Sequence, residues 1–343
     1  MADTNHDDIA LPSLSLKPPF SPGTVLIPTS GKKGSAANAL PTIFGKDNHC
    51  RLVKNNIRDF LKEDLNLDRL NDIDGYLWMA GRPMRARPLH RYRMLGFDVL
   101  HTQQMDLHLL KYSNQVLVKP LPDYLLSHSF WTDHLCGNTK VHRKLHEAAC
   151  GFLLSYIWLL VYPIDLQLAQ DFKLVPRSIK WPLWERFVSD FVNHIDVNAL
   201  DQVNKRYHFG ELRLGRINTI YRVRFAHRYF VRGYLYGYNR YVVFFQRNFN
   251  WILVVFVFFS LVLSAMQVGV SVSPLQEDEA YRKATYGFVV FSMMTVAFVL
   301  AFVSVMFTFI YFFNMVAAIV HDRRQRKERG LLAQVKTGRL QNP

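Results

Sequence analysis

The sequence predicts a mainly α-helical membrane protein, in which a helical cytosolic domain with minor β structure precedes a C-terminal hairpin of two transmembrane helices. Residues 251–272 and 287–320 carry no charge; the first run falls within, and the second exceeds, the ~17 to 25 residues that a helix rising about 1.5 Å per residue needs to cross ~30 Å of hydrocarbon. Arginine crowds the outer flank of each run, and the region before them is long enough to bury one core.

Residues 1–45 mix proline, serine, glycine and small side chains with little patterned apolar surface, so they are expected to form a disordered tail. A mostly helical cytosolic domain is expected over 46–210. Its first helix is read from Val53, Ile57, Phe60 and Leu61, which fall on one face at 3.6 residues per turn. Residues 115–119 (QVLVK) are short, β-branched and stopped by Pro120, as a strand would be. The clearest amphipathic helix places Trp184, Phe187, Val188, Phe191, Val192 and Ile195 on one face, opposite Glu185, Arg186 and Asp190. Residues 148–164 are apolar and end at Pro163 and Asp165. A span there would put the domain and the arginine-rich segment on opposite sides of the bilayer, so a buried or interfacial helix is expected.

A basic, aromatic juxtamembrane segment is read over 211–250. Between Leu212 and Asn250 stand eight arginines and no carboxylate, interleaved with tyrosine and phenylalanine. Arg222, Arg224, Arg228, Arg232, Arg240 and Arg247 before the first span, and Arg323, Arg324, Arg326 and Lys327 after the second, are the expected contacts to lipid headgroups. Of these, Arg224, Arg228 and Arg232 are expected to share a helical face. Because basic residues are retained on the cytosolic side, both termini are expected there. No apolar segment follows Met1, so the first span is expected to act as the insertion signal. Residues 273–286 form the expected acidic outer turn, where Glu277, Asp278 and Glu279 would attract cations, and residues 321–343 a basic tail. Ser260 with Ser264, and Ala297 with Ala301, have the small-xxx-small spacing of packed membrane helices, while Gln267 and Asn314 are the conspicuous polar groups.

A formal charge of +15 over 343 residues is concentrated beside the spans, so the bilayer and its anionic phospholipids, rather than nucleic acid, are the expected partners, with homo-oligomers as a further option. Cys50, Cys136 and Cys150 offer no disulfide framework. Cys136, His142, His146 and Cys150 contain metal-ligand chemistry, but three ligands along two turns of one helix do not converge on one ion. His194 with Asp196 and His101 with His108 are read as surface or core histidines. No phosphate-binding loop, dinucleotide fingerprint or G-x-S-x-G occurs, so no catalytic residue, cofactor or metal site is expected.

The blocks NDIDGYLWMAGRPMRARPLHR (71–91), VNKRYHFGELRLGRINTIYR (203–222), LSAMQVGV (263–270) and YGFVVFS (286–292) resemble a family of fungal membrane proteins with no established activity. The resemblance covers about 47–318 and implies a fungal source and a membrane location. The order of parts is remotely similar to that of CorA-type magnesium channels, but Met266, Gln267, Val268 and Gly269 stand where that family has Gly-Met-Asn. The function expected from the residues is a non-enzymatic, membrane-anchored scaffold or adaptor docked on anionic lipid. The alternatives are an oligomeric cation channel or transporter and a membrane-bound enzyme of unrecognised type.

Overall fold

A computed structural model describes residues 16–24, 26, 40–45, 50–229, 233–235, 241–272 and 278–341, without the side chains of several residues in the helices after residue 226. Two compact units divide the chain, Met1–Leu235 and Tyr236–Pro343.

The first unit is built around a buried helix. Short elements lead into it: β1 (Ile43–Phe44) paired antiparallel with β2 (Arg51–Leu52), then helices α1 (Ile57–Asp64), α2 (Asp68–Asn71), α3 (Leu77–Ala80) and α4 (Leu89–Met94). A four-stranded mixed sheet follows, of β3 (Asp98–His101), β4 (Leu110–Tyr112), β5 (Gln115–Val118) and β6 (Leu212–Arg213) in the order β3-β5-β4-β6. Only the β4–β5 pair is antiparallel. After α5 (His128–His134) comes α6 (Lys140–Leu159), whose N-terminus is capped by the Thr139 hydroxyl accepting the His142 N–H at 3.3 Å. Ala149, Cys150, Phe152, Leu153, Leu154, Ser155 and Tyr156 on α6 are fully buried. This is the expected protein-covered state of the apolar run, which breaks before Pro163 and turns by 112° into α7 (Pro163–Asp171). Asp165 holds the turn. Buried itself, it accepts the Val161 and Tyr162 N–H groups at 3.2 and 3.0 Å and both the backbone N–H and ring Nδ1–H of His90 at 2.7 and 2.8 Å.

The expected strand is β5, and the expected amphipathic helix is α8 (Trp181–His194). Trp184, Phe187, Phe191 and Ile195 are buried as the periodicity requires, whereas Val192 is 43% exposed and Val188 half-buried. Val53 lies in a separate turn, because the chain leaves helical geometry at Asn56 (φ −141°) before α1 begins.

The expected tail is in part core. Residues 1–15 and 27–39 lie outside the described residues, but Phe20 and Leu26 are only 1% exposed. The Phe20 ring centroid is 5.2 Å from that of Phe187 and 6.1 Å from that of Trp131. Asp190 ties this segment to α8, accepting the Ser21 N–H at 2.6 Å, the Thr24 hydroxyl at 2.7 Å and the Ser21 hydroxyl at 3.0 Å. Desolvation opposes its ionisation, yet these hydrogen bonds and nearby His194 together hold its carboxyl below the ordinary value. Composition averaged over 45 residues hid one aromatic anchor and its hydrogen-bonding loop.

The unit also runs past residue 210. Helix α9 (Leu214–Arg224) buries Leu214, Ile217, Ile220 and Tyr221, and Tyr234 is 3% exposed. The Tyr234 hydroxyl donates to Asp106 Oδ2 at 2.8 Å, where Arg69 Nη1 also donates at 3.0 Å, and the Arg69 guanidinium lies 3.9 Å from the Tyr234 ring centroid. The first half of the expected juxtamembrane segment is therefore part of the folded unit.

The second unit holds α11 (Tyr241–Val270) and α12 (Glu279–Gln341), which follow the short α10 (Ala226–Tyr229) of the first. Both are long and apolar enough to cross a membrane, over Leu253–Val270 and Glu279–Phe313. Helix α12 continues through the expected basic tail and begins inside the expected outer turn. Ser260, Ser264, Ala297 and Ala301 are exposed, against the expected packing face. The helices meet instead where the Phe259 ring lies 5.8 and 6.1 Å from Phe288 and Phe291, and where Tyr281 lies over Gly269 with its hydroxyl donating to Met266 O at 3.3 Å. Aromatic contacts at one end, rather than a small-residue stripe, join the pair.

Phe20→Ala should cost about 3–5 kcal/mol by removing an aromatic from a closed core. Chemical unfolding of the full chain measures this, and a loss below about 1 kcal/mol would show that the segment is not part of the core.

Candidate functional site

The 71–91 and 203–222 blocks meet in space. Helix α3 ends at Gly81, and the chain runs through 82–88 to α4 while lying against the strand that enters β6; Gly210 N–H donates to Met84 O at 2.7 Å. Both crossings require glycine. A Cβ at Gly81 would stand 2.5 Å from Glu211 O, and one at Gly210 would stand 2.2 Å from Ala86 N. The β4–β6 register sets Lys111 opposite Arg213. A cleft of about 440 Å³ results, where Arg82, Arg85, Arg87, Lys111, Arg213 and Arg216 surround the single carboxylate of Glu211.

That carboxylate is already engaged. Glu211 accepts the Arg87 N–H at 3.2 Å and Lys111 Nζ at 3.1 Å, with Arg87 Nε at 3.6 Å. Lys111 also lies 4.3 Å from the Phe97 ring centroid. Arg216 donates to Met79 O at 2.8 Å. Among the described residues, no carboxylate lies at ion-pair distance from Arg82, Arg85, Arg213 or Arg216. A concave, uncompensated group of guanidinium forks concentrates anions and matches phosphate oxygens in pairs. Trp78 and Met84 line the same cleft at 66% and 62% exposure. Cations beside exposed apolar side chains suit a surface that is anionic outside and apolar beneath.

A second polar cluster has catalytic residue types without catalytic geometry. His108 on the approach to β4 is buried, accepts the Lys119 N–H on Nδ1 at 3.0 Å, and stands 2.8 Å from Ser155 Oγ through Nε2. The first bond fixes the proton on Nε2, so His108 donates to Ser155 and has no lone pair with which to activate it. Ser155 in turn donates to Phe152 O at 2.5 Å. Burial first, then Arg206 and Lys119, push the His108 pKa well below 6.5. Lys119, also buried, donates to Asp64 at 2.7 Å and Gln103 O at 2.6 Å, and Tyr124 completes Asp64 at 2.6 Å. These are hydrogen bonds that make a polar core affordable in α6's surroundings.

The metal-like quartet disperses. His142 Nδ1 is 2.7 Å from Thr139 Oγ1, His146 Nε2 donates to Lys17 O at 2.8 Å, and His146 Nδ1 lies 3.5 Å from Cys150 Sγ. Burial pushes the Cys136 thiol up to about 11 and that of Cys150 well above the ordinary range. No three His, Cys, Asp or Glu side chains could hold a metal ion among the described residues. His194 meets Asp190 rather than Asp196, whose carboxylate accepts the Asn198 and Ala199 N–H groups. His101 pairs with Phe172 O.

The arginines expected to contact lipid do not form one helical row. Arg224 ends α9, the backbone leaves the helix at Phe225 (φ −119°, ψ 43°), and Arg228 lies in the separate α10. Arg224 is exposed, whereas Arg222 is half-buried, with its Nε lacking a partner among the described residues. Arg232 and Arg240 lie outside the described residues, as do the side chains of Arg228, Arg247 and Asn314. Arg323, Arg324, Arg326 and Lys327 are exposed on α12, with Arg326 paired to Asp322 at 2.9 Å. Glu277 lies outside the described residues, Asp278 caps α12 by accepting the Ala280 N–H at 2.8 Å, and Glu279 pairs with Lys283 at 2.8 Å. Sequence reasoning missed the cleft because its cations come from three distant segments. The one local signal was the density of arginine beside Trp78 in 78–87.

Two outcomes test this arrangement. Gly210→Ala should displace residues 84–86 and destabilise the chain by about 1–3 kcal/mol, read by thermal unfolding. The pH dependence follows from His108 and His146, both held below 6.5 chiefly by burial. The unfolded chain binds the extra protons, so their stabilisation is complete above pH 6.5 and is lost as pH falls below it, by up to about 1.4 kcal/mol per unit for each. His108→Gln should flatten the fall in melting temperature on acidification; an unchanged slope would refute the assignment.

Residues 57–296 match a family of unknown function (DUF6601), and the chain belongs to that family. No curated protein and no solved structure matches the chain.

Proposed function

We propose that this family member is an integral membrane protein whose folded first unit docks on anionic phospholipid through the 82–87 and 211–216 cleft, as a non-enzymatic scaffold or adaptor. The observation that carries the reading is the cleft itself, with six basic groups against one carboxylate and exposed Trp78 and Met84 in its wall. Helices α11 and α12 supply the anchor, and the arginines outside both apolar runs favour a hairpin with both ends on the cytosolic side. The remaining juxtamembrane arginines add to the same attraction. Capping by Asp278 and pairing of Glu279 give the acidic turn a local structural use, which favours docking over cation conduction.

The test places the full chain in nanodiscs of phosphatidylcholine with or without anionic phospholipid. Amide exchange in 78–88 and 211–216 should slow with anionic lipid. Arg82→Gln, Arg85→Gln and Arg213→Gln should each weaken the interaction by about 1 kcal/mol, roughly fivefold, and jointly abolish the protection. Equal exchange in both discs would reject docking through this cleft.

A further inference from the structure

A second cleft, of about 640 Å³, opens on the other side of the same loop. Pro83, Met84 and Arg85 line it, and Met84 and Arg85 also line the arginine cleft. Much of its opposite wall is apolar, with Trp158, Trp181, Val188 and Val192 contributed by the end of α6 and by α8, while Glu185, Ser189 and Asn198 add polar groups to the lining. Here the apolar stripe of α8 is wider than the core uses: Phe187 and Phe191 are buried and Val188 packs half-buried against the core, while Val192 is exposed. Val161, in the same lining, is 42% exposed.

We propose that the paired clefts bind one molecule of a net anionic phospholipid, its headgroup among Arg82, Arg85 and Arg213 and its acyl chain along Val188 and Val192. The inference rests on the docking reading and goes beyond it, from contact with a surface to capture of a single lipid. Charge complementarity selects the occupant. Arg85 borders both spaces, so a ligand filling the apolar cleft meets a guanidinium at its edge, and an anionic amphiphile satisfies both walls at once. Each volume lies within the ~300–1,000 Å³ of small-molecule sites. The chain also carries two helices of membrane-crossing length, which would keep the unit near a supply of such lipid.

The full chain held in amphipol is titrated calorimetrically with dihexanoyl phosphatidic acid, glycerol 3-phosphate and dihexanoyl phosphatidylcholine, each below its micellar concentration. Phosphatidic acid should bind at least tenfold more tightly than either of the others. Val192→Glu, at an exposed position that folding tolerates, should remove the advantage over glycerol 3-phosphate while leaving glycerol 3-phosphate binding and the nanodisc exchange protection intact. Val188→Ser should do the same more weakly. Equal affinity for phosphatidic acid and glycerol 3-phosphate, with protection on anionic discs retained, would overturn lipid capture and leave docking standing. Equal affinity for phosphatidic acid and phosphatidylcholine, or a Val192-dependent dimer in place of ligand binding, would overturn it as well.

Discussion

One constraint organises the first unit: an apolar helix of nearly membrane-spanning length must be covered by protein on every side. Helix α6 meets that constraint because the chain reverses at Pro163, and because Asp165 satisfies the amide groups freed by the reversal together with those of His90. Several other segments then pack against it. Phe20 and α8 close one side, and the Arg206 and Tyr207 turn closes another, where the Tyr207 ring lies over Gly151. The polar groups drawn into this environment, His108, Lys119, Ser155 and Arg206, hydrogen-bond to one another, to Asp64 or to backbone carbonyls, with Arg206 Nε alone of their nitrogens lacking a partner among the described residues; an unpaired group there costs about 1–3 kcal/mol.

The same packing produces the surface on which function is proposed. Strand β6 joins the sheet beside β4 only because Gly81 and Gly210 let two backbones cross closely, and this crossing brings arginines from both segments around Glu211. Charge is left over there because one carboxylate is shared by Arg87 and Lys111. On α8, Val188 is left at the edge of the core and Val192 outside it. Cationic and apolar clefts divided by one loop are a consequence of how the core closes.

Much of this was legible beforehand where the signal was local. The strand at Gln115–Val118, the amphipathic face of Trp184, Phe187 and Phe191, and the two long apolar helices follow from periodicity and length. The Phe20 anchor was hidden because its partners, Phe187 and Asp190, lie far along the chain. The supposed arginine row failed for a nearby reason: helical spacing says nothing once the backbone breaks at Phe225. Small residues in α11 and α12 carried the right spacing on the wrong face, since the large rings at Phe259 and Tyr281 decide where the helices touch.

By itself the sequence determined which segments avoid water and which carry charge, because hydropathy and formal charge belong to each residue wherever it lies. Tertiary structure alone decided whether an apolar run meets protein, as α6 does, and which arginines stand together without a counter-ion. Those properties arise from contacts between segments tens to more than a hundred residues apart, and no local pattern records them.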